Sequence, residues 1–203
     1  MIVLIDFDGV LVDTETQYTH MWDAIGLDCF GEEGFGWKIK GQTLKNIYAA
    51  YVPDPKMQEA VTERLDEYER QIVYEFIPGV PEFLQALKEA GIPTAIVTSS
   101  NDKKMANVYR ALPELKSMVD MILTSEHFTK SKPDPECFLK GKELLGGTPA
   151  DTVIFEDSIH GLTAARASGA KVVGLATTFP AERVAPLSDM VIPDFTGLKV
   201  ADL

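Results

Sequence analysis

The sequence predicts an α/β fold: a doubly wound parallel sheet with an all-helical insert placed after the first strand. Two observations carry this expectation. From residue 78 onward, short runs that are apolar at every position alternate with stretches of helical spacing. Between residues 14 and 77, apolar residues recur at helical spacing with no convincing strand among them. A strand that is apolar along its length is buried on both faces, as a parallel strand covered by helices must be. The chain therefore divides into an α/β core of residues 1–13 and 78–203 and a helical cap of residues 14–77.

Each element follows from its own pattern. Ile2 to Ile5 is a short, largely β-branched run that ends in Asp6-Phe7-Asp8-Gly9, a buried strand running into a turn. In the cap, Tyr18, Met21, Trp22 and Ile25 fall at i, i+3, i+4 and i+7 and are closed by Gly26. A Gly-rich patch from Gly31 to Gly41 follows; Leu44, Ile47, Tyr48 and Tyr51 then repeat the spacing until Pro53-Asp54-Pro55 stops it. Met57, Val61, Leu65, Tyr68, Ile72 and Phe76 form a longer helical stripe, and the stripes read as the core of the cap itself. Beyond Pro78-Gly79, a helix carrying Val80, Phe83, Leu84 and Leu87 ends at Gly91 and leads into a strand over 93–98. A helix through Met105, Val108 and Leu112, a strand over 121–124, a helix over 135–145 and a strand over 152–155 continue the alternation. A small-residue helix over 158–168 and two apolar runs, 171–175 and 190–192, complete it.

The 203 residues are 45% hydrophobic and 25% charged, ordinary globular values that disfavour disorder. Nineteen Lys and Arg against 31 Asp and Glu give a formal charge of −12, a field that repels nucleic-acid backbones and anionic membranes. No nucleic-acid or membrane partner is expected, and an anionic substrate must be attracted locally by a metal or a few well-placed cations. Cys29 and Cys137 lie far apart with no CxxC spacing, which indicates neither a disulfide framework nor structural zinc. With no basic leader before Asp6 and no long apolar run, the expected address is the cytoplasm. The expected assembly is a monomer or small homo-oligomer.

In open parallel sheets, ligands bind beyond the carboxyl ends of the strands, where the strand order reverses. Asp6 and Asp8 follow the first strand, and Thr98-Ser99-Ser100-Asn101 the second. Ser131-Lys132-Pro133-Asp134-Pro135 lies between the third strand and its helix, and Glu156-Asp157-Ser158 follows the fourth. Taken singly, Asp157 and the hydroxyl cluster read as helix caps and Lys132 as a solvated loop lysine. Asp6 and Asp8 are harder to explain structurally, because two acids at the mouth of a buried strand desolvate and repel each other. The joint occurrence at four strand ends points to chemistry.

These motifs resemble those of the haloacid dehalogenase-like (HAD) superfamily, and the chemistry that the resemblance implies is phosphoryl transfer. It needs an in-line nucleophile, charge neutralisation on the phosphoryl oxygens and a proton for the leaving oxygen. A carboxylate nucleophile needs no deprotonation at neutral pH, but it repels a phosphate dianion, so a cation must sit between them. A hard ion such as Mg²⁺ takes oxygen ligands and keeps some waters. An extended backbone aims Asp8 to the same side as Asp6, two residues before it.

Asp6-Phe7-Asp8-Gly9-Val10-Leu11-Val12-Asp13-Thr14-Glu15 resembles the first motif of the haloacid dehalogenase-like (HAD) superfamily, closest to its phosphatases and phosphomutases with a small helical cap. Thr98-Ser99-Ser100, Lys132-Pro133-Asp134-Pro135 and Glu156-Asp157-Ser158 stand in the order of its other three motifs, so the resemblance covers the whole chain. It implies a Rossmann-like core and an aspartyl-phosphate formed on Asp6, with Asp8 protonating the leaving group and then activating water. It further implies phosphate contacts from Thr98, Ser99, Ser100, Asn101 and Lys132, and a substrate contact from Lys40 in the cap. Mg²⁺ would be held by Asp6, Asp157 and the backbone carbonyl of Asp8, with Glu156 bound directly or through water. The implied partner is a small phosphorylated metabolite of sugar-phosphate size.

Among the reactions of that superfamily, the true dehalogenases lack the acid that Asp8 supplies. Phosphomutases tend to carry a histidine five residues after the position of Asp13, where this chain has Tyr18, with His20 two further along. They also carry an arginine soon after the cap lysine-glycine pair, and here Lys40-Gly41 is followed by Gln42-Thr43-Leu44. Without that cation a second phosphate loses an anchor. A phosphatase is therefore expected; a β-phosphoglucomutase-like mutase is the alternative, and a non-catalytic binding protein of this fold the second alternative.

Overall fold

The computed structural model describes residues 1–203 and resolves them into two compact units: Met1–Asp13 with Tyr74–Leu203, and Thr14–Val73. The larger unit is built on six strands, β1 Ile2–Ile5, β2 Thr94–Val97, β3 Met121–Leu123, β4 Thr152–Glu156, β5 Lys171–Leu175 and β6 Met190–Ile192. All pair in parallel, in the order β3-β2-β1-β4-β5-β6. β1, β2 and β4 are buried at every position, as their unbroken apolar runs require. This is the doubly wound sheet expected from the sequence.

Alternation along the strands sends residues to opposite faces. On one face Leu4, Val97, Ile154 and Val172 pack with Phe138, from the helix Glu136–Leu144, and Leu162, from the helix Ile159–Ala167. On the other, Phe155 meets Phe83, of the helix Val80–Glu89, and Phe195 in a cluster with ring centroids 5.2–5.4 Å apart. Phe195 lies in the irregular C-terminal stretch, yet it is buried and closes that face. The register aligns Ile5 with Ile96 and with Phe155. Asp6 therefore leaves β1 level with the end of β4, at the place where the chain order reverses.

The smaller unit holds four helices, Glu15–Phe30, Phe35–Ile39, Leu44–Tyr51 and Pro55–Glu69. Their apolar faces meet in one cluster of Met21, Trp22, Ile25, Phe35, Ile39, Ile47, Val52, Val61 and Leu65. Thr43 caps the third helix by accepting from the Asn46 N–H; Asp54 does the same for the fourth from Lys56, with Pro55 in the first turn. The first helix does not stop at Gly26, as the spacing predicts, but at Gly31. Gly26 is internal because Phe35 lies against it, and a Cβ there would fall on the Phe35 Cβ. The Gly-rich patch contains the short helix Phe35–Ile39. The long stripe is helical only to Glu69: Ile72 lies beyond the helix, and Phe76 pairs with Val12 in the larger unit. Asp13 N–H donating to Glu75 O and Ile77 N–H donating to Leu11 O tie residues 75–77 to that unit. No helix of the chain is long and apolar enough to cross a membrane.

Gly26→Ala sets two effects against each other. In an open helix the exchange gains about 1 kcal/mol of propensity. Here the added methyl overpacks against Phe35, which costs about 1–3 kcal/mol. Urea denaturation is expected to show a net loss of stability, and a gain would contradict the packing described.

Candidate active site

The site is assembled from the carboxyl ends of β1, β2 and β4 and the loops after β3 and β5. Asp6 is 8% exposed, and its N–H donates to Phe155 O at 3.0 Å, which locks the end of β1 to β4. Lys132 is buried, and its Nζ donates to Asp6 Oδ1 and Glu156 Oε1, both at 2.7 Å. The other oxygen of Glu156, Oε2, accepts from the Asp157 N–H at 2.8 Å, the Ser158 N–H at 2.8 Å and the Ser158 hydroxyl at 3.0 Å. Asp157 Oδ2 accepts from the Thr178 hydroxyl, and the neighbouring Thr177 hydroxyl donates to Gly9 O at 2.6 Å. Two glycines make this packing possible. A Cβ at Gly161 would fall on the Glu156 carboxylate, and one at Gly9, where φ is +74°, on Asp157 Oδ2.

Asp8 stands apart from this cluster. Its Oδ1 and Oδ2 accept from Lys104 Nζ at 2.7 and 2.8 Å, and Oδ2 also accepts from the Ser100 hydroxyl at 2.8 Å. Lys104 is 6% exposed and lies in the first turn of the helix Asp102–Ala111. Of the other residues expected at the site, Thr98 is buried and its Oγ1 accepts from the Ser100 N–H at 3.0 Å. Ser99 is exposed, and Asn101 caps the following helix by accepting from the Lys104 N–H at 2.8 Å. Lys40 belongs to the smaller unit, where its Nζ donates to the Thr19 hydroxyl at 3.2 Å, lies 3.7 Å from Glu15 and sits 4.8 Å from the Trp37 ring centre. The structure thus brings Asp6, Glu156, Asp157 and Lys132 into one cluster, with Asp8, Ser100 and Lys104 in a second. Lys104, Thr177 and Thr178 are missed by the sequence reading. Lys104 alone leaves a trace there: a lysine in a helix's first turn opposes the helix dipole, which is unfavourable unless an acid pairs with it.

Burial drives the electrostatics. Desolvation raises the Asp6 carboxyl most, Lys132 opposes it and Glu156 adds to it, and the balance leaves the carboxyl pushed up to about 7. For Lys132, burial works against the charge, but the attraction of Asp6 and Glu156 outweighs it and lifts the ammonium well above the ordinary lysine range. Asp6, Glu156 and Asp157 each offer an oxygen, all within 4.8 Å of one another. Three buried carboxylates against one ammonium leave negative charge unbalanced, and the all-oxygen donor set suits a hard divalent cation. Glu156 has both oxygens engaged by the protein, so Asp6 and Asp157 are the better placed direct donors.

The family description "Haloacid dehalogenase-like hydrolase" matches residues 3–175. The chain belongs to the haloacid dehalogenase-like hydrolases. Among curated proteins, it is 28% identical over 85% of its length to a bifunctional riboflavin kinase/FMN phosphatase of Arabidopsis thaliana, of which it spans only 48%. It is 25% identical to the validoxylamine A 7′-phosphate phosphatase of Streptomyces hygroscopicus subsp. limoneus, covering 98% of this chain and 95% of that one. It is also 28% identical to a β-phosphoglucomutase of Mycobacterium bovis, covering 96% and 90%. A HAD hydrolase of family IA, variant 3, from Entamoeba histolytica shares the fold with a TM-score of 0.85 at 23% identity, over 99% of this chain and 96% of that one.

The raised Asp6 carboxyl sets the sign of a stability effect. Without a divalent cation, the folded protein binds a proton at Asp6 more tightly than the unfolded chain does. Stability is therefore expected to fall as pH rises from about 4 to about 7, and Asp6→Asn to flatten that decline by about 2–4 kcal/mol. Urea denaturation in the presence of chelator at several pH values would measure it, and parallel profiles for the two proteins would contradict it.

Proposed function

We propose that this HAD hydrolase is a Mg²⁺-dependent phosphatase that cleaves a small phosphate monoester of sugar-phosphate size through an aspartyl-phosphate on Asp6. The observation that carries this reading is the placement of Asp6 at the sheet's reversal point, buried beside Lys132 and within reach of Asp157. The phosphatases among its relatives of matching length support it.

Asp6 Oδ attacks phosphorus, the ester P–O bond breaks, and the leaving oxygen takes a proton from Asp8. Asp8, now ionised, accepts a proton from water; the water oxygen attacks the same phosphorus, and the acyl-phosphate P–O bond breaks to restore Asp6. Lys132 holds Asp6 in register and faces the phosphoryl oxygens as a point charge. The Thr98 Oγ1, oriented by the Ser100 N–H, directs its hydroxyl hydrogen to a phosphoryl oxygen, and the exposed Ser99 N–H is a second donor. A divalent cation held by Asp6, Asp157 and the Asp8 carbonyl would supply the charge neutralisation that lets a carboxylate approach a phosphate dianion. Glu156 would act on it through the loop it organises.

The likeness to a β-phosphoglucomutase keeps a mutase as the second reading. Against it, Tyr18 stands in place of the mutase histidine and donates to Glu69 at 2.9 Å, while the Lys40 ammonium is taken up by Thr19 and Glu15. No arginine follows Lys40-Gly41 to hold a second phosphate. A phosphate-release screen over small phosphate esters, with Mg²⁺ and with chelator, tests both readings. Release is expected only with Mg²⁺ and is expected to fall about a thousandfold or more in Asp6→Asn. Conversion of β-glucose 1-phosphate, primed by a bisphosphate, to glucose 6-phosphate without net phosphate loss would establish the mutase instead.

A further inference from the structure

We propose that Lys104, a residue outside the sequence motifs, is a positioning residue that holds Asp8 ready for proton transfer and keeps it out of the Asp6–Lys132–Glu156–Asp157 cluster. The juxtaposition that carries this is the two-oxygen contact of Lys104 Nζ with Asp8 at 2.7 and 2.8 Å, inside a pocket that leaves the lysine 6% exposed. The inference rests on the reading of Asp8 as the proton donor and acceptor of the phosphatase reaction.

The placement of Lys104 is unfavourable on local grounds. It stands in the first turn of its helix, where the dipole repels a cation, and it is buried, where an unpaired ammonium is strongly disfavoured. Asn101 fixes its backbone by capping that helix on the Lys104 N–H. What offsets both penalties is Asp8, ninety-six residues away in sequence. A local rule broken at a functional site and compensated by one long-range partner marks a residue kept for what it does to that partner.

The need is electrostatic. Asp8 lies close enough to Asp6 to raise its carboxyl's affinity for a proton. Left to itself, a carboxylate there is drawn to the nearest cations: Lys132, and whatever ion Asp6 and Asp157 hold. There it would become another ligand and could no longer reach the leaving oxygen. Lys104 supplies a competing cation 2.7 and 2.8 Å from the two carboxylate oxygens, and the Ser100 hydroxyl, 2.8 Å from Oδ2, fixes the rotation of the carboxylate. Proton transfer is sensitive to such placement, and an ångström of displacement is worth about a hundredfold in rate.

The test uses the full chain with Mg²⁺ and a series of ring-substituted phenyl phosphates from p-nitrophenyl to p-methoxyphenyl, read as kcat/KM. That quantity reports the step in which the ester bond breaks, and the need for a donated proton grows along the series as the leaving oxygen becomes more basic. In Lys104→Met the loss of kcat/KM is expected to be about tenfold greater at the methoxy end than at the nitro end. Lys104→Arg should recover most of that difference, and Ser100→Ala should show the same trend at smaller amplitude. Lys104→Met added to Asp8→Asn should steepen the dependence no further, since the lysine acts through that carboxylate. A loss equal at both ends of the series, or none, would overturn the assignment and leave Lys104 a structural ion pair. If Lys104→Met fails to fold, the Ser100→Ala series decides in its place. A wild-type protein that releases phosphate neither from this series nor from the small esters of the screen would instead overturn the phosphatase reading, and the role of Lys104 with it.

Discussion

The larger unit is organised around one buried ammonium. Lys132 Nζ stands between Asp6 Oδ1 and Glu156 Oε1, so two carboxylates from strands that are neighbours in the sheet and far apart in sequence share a single positive charge. Neither acid is tolerable alone at that depth, since an unpaired buried carboxylate must either protonate or draw in a counter-charge. Breaking such a pair by removing one partner typically costs about 3–5 kcal/mol, more than most single contacts contribute. The ends of β1 and β4 are therefore held together twice: by the parallel ladder, and by a lysine delivered from the loop after β3.

Glu156 extends that arrangement. Its second oxygen takes the N–H groups of Asp157 and Ser158, so the carboxylate that anchors Lys132 also shapes the turn that presents Asp157. The Ser158 hydroxyl then caps the helix Ile159–Ala167 by accepting from the Gly161 N–H at 3.0 Å. Gly161 has no side chain because Glu156 occupies the space one would need. The turn that bears Asp157, the helix start and the lysine anchor are thus one hydrogen-bonded object, and disturbing any part of it would disturb the others. On the far side Thr177 and Thr178, from the loop after β5, tie Asp157 and the Gly9 carbonyl together and bring a third strand end into the same site.

How much of this was legible in the sequence follows from where the information resides. The parallel sheet was legible because buried strands are apolar at every position, and Asp6, Glu156 and Asp157 stood out because charged residues interrupt such strands only at their ends; Lys132, in a loop, stood out only through its place among the other motifs. Helix boundaries in the smaller unit were less so. Gly26 reads as a stop, but it sits inside a helix because Phe35 needs its space, and spacing along one segment does not report a neighbour nine residues away. Phe76 continues a helical stripe by count while belonging to a pairing with Val12. Thr178 could not be found at all, since a threonine after a strand is commonplace and only the tertiary fold brings its hydroxyl to Asp157. Ser99, Ser100 and Asn101 are consecutive in sequence, and the fold gives them different partners: the Ser100 hydroxyl donates to Asp8, and Asn101 caps its helix.

The distribution of cations bears on how an anionic substrate is received. The chain carries a net charge of −12, so its long-range field disfavours a phosphate ester. The lysines near the reaction centre do not reverse this on their own, because Lys132 is shared by two acids and Lys104 is matched by Asp8. Each lysine neutralises protein carboxylates before it can attract anything else. On the proposed reading, the attraction that brings a phosphate to Asp6 must then come from a cation the chain does not encode, bound where Asp6 and Asp157 leave negative charge in excess. On that reading the two lysines would divide the acids between separate tasks, one set for the nucleophile and its ion and one for proton transfer. The same acidity that makes the bare site repel its substrate is what would make it bind a divalent ion, so metal dependence and phosphate selectivity would have a single origin.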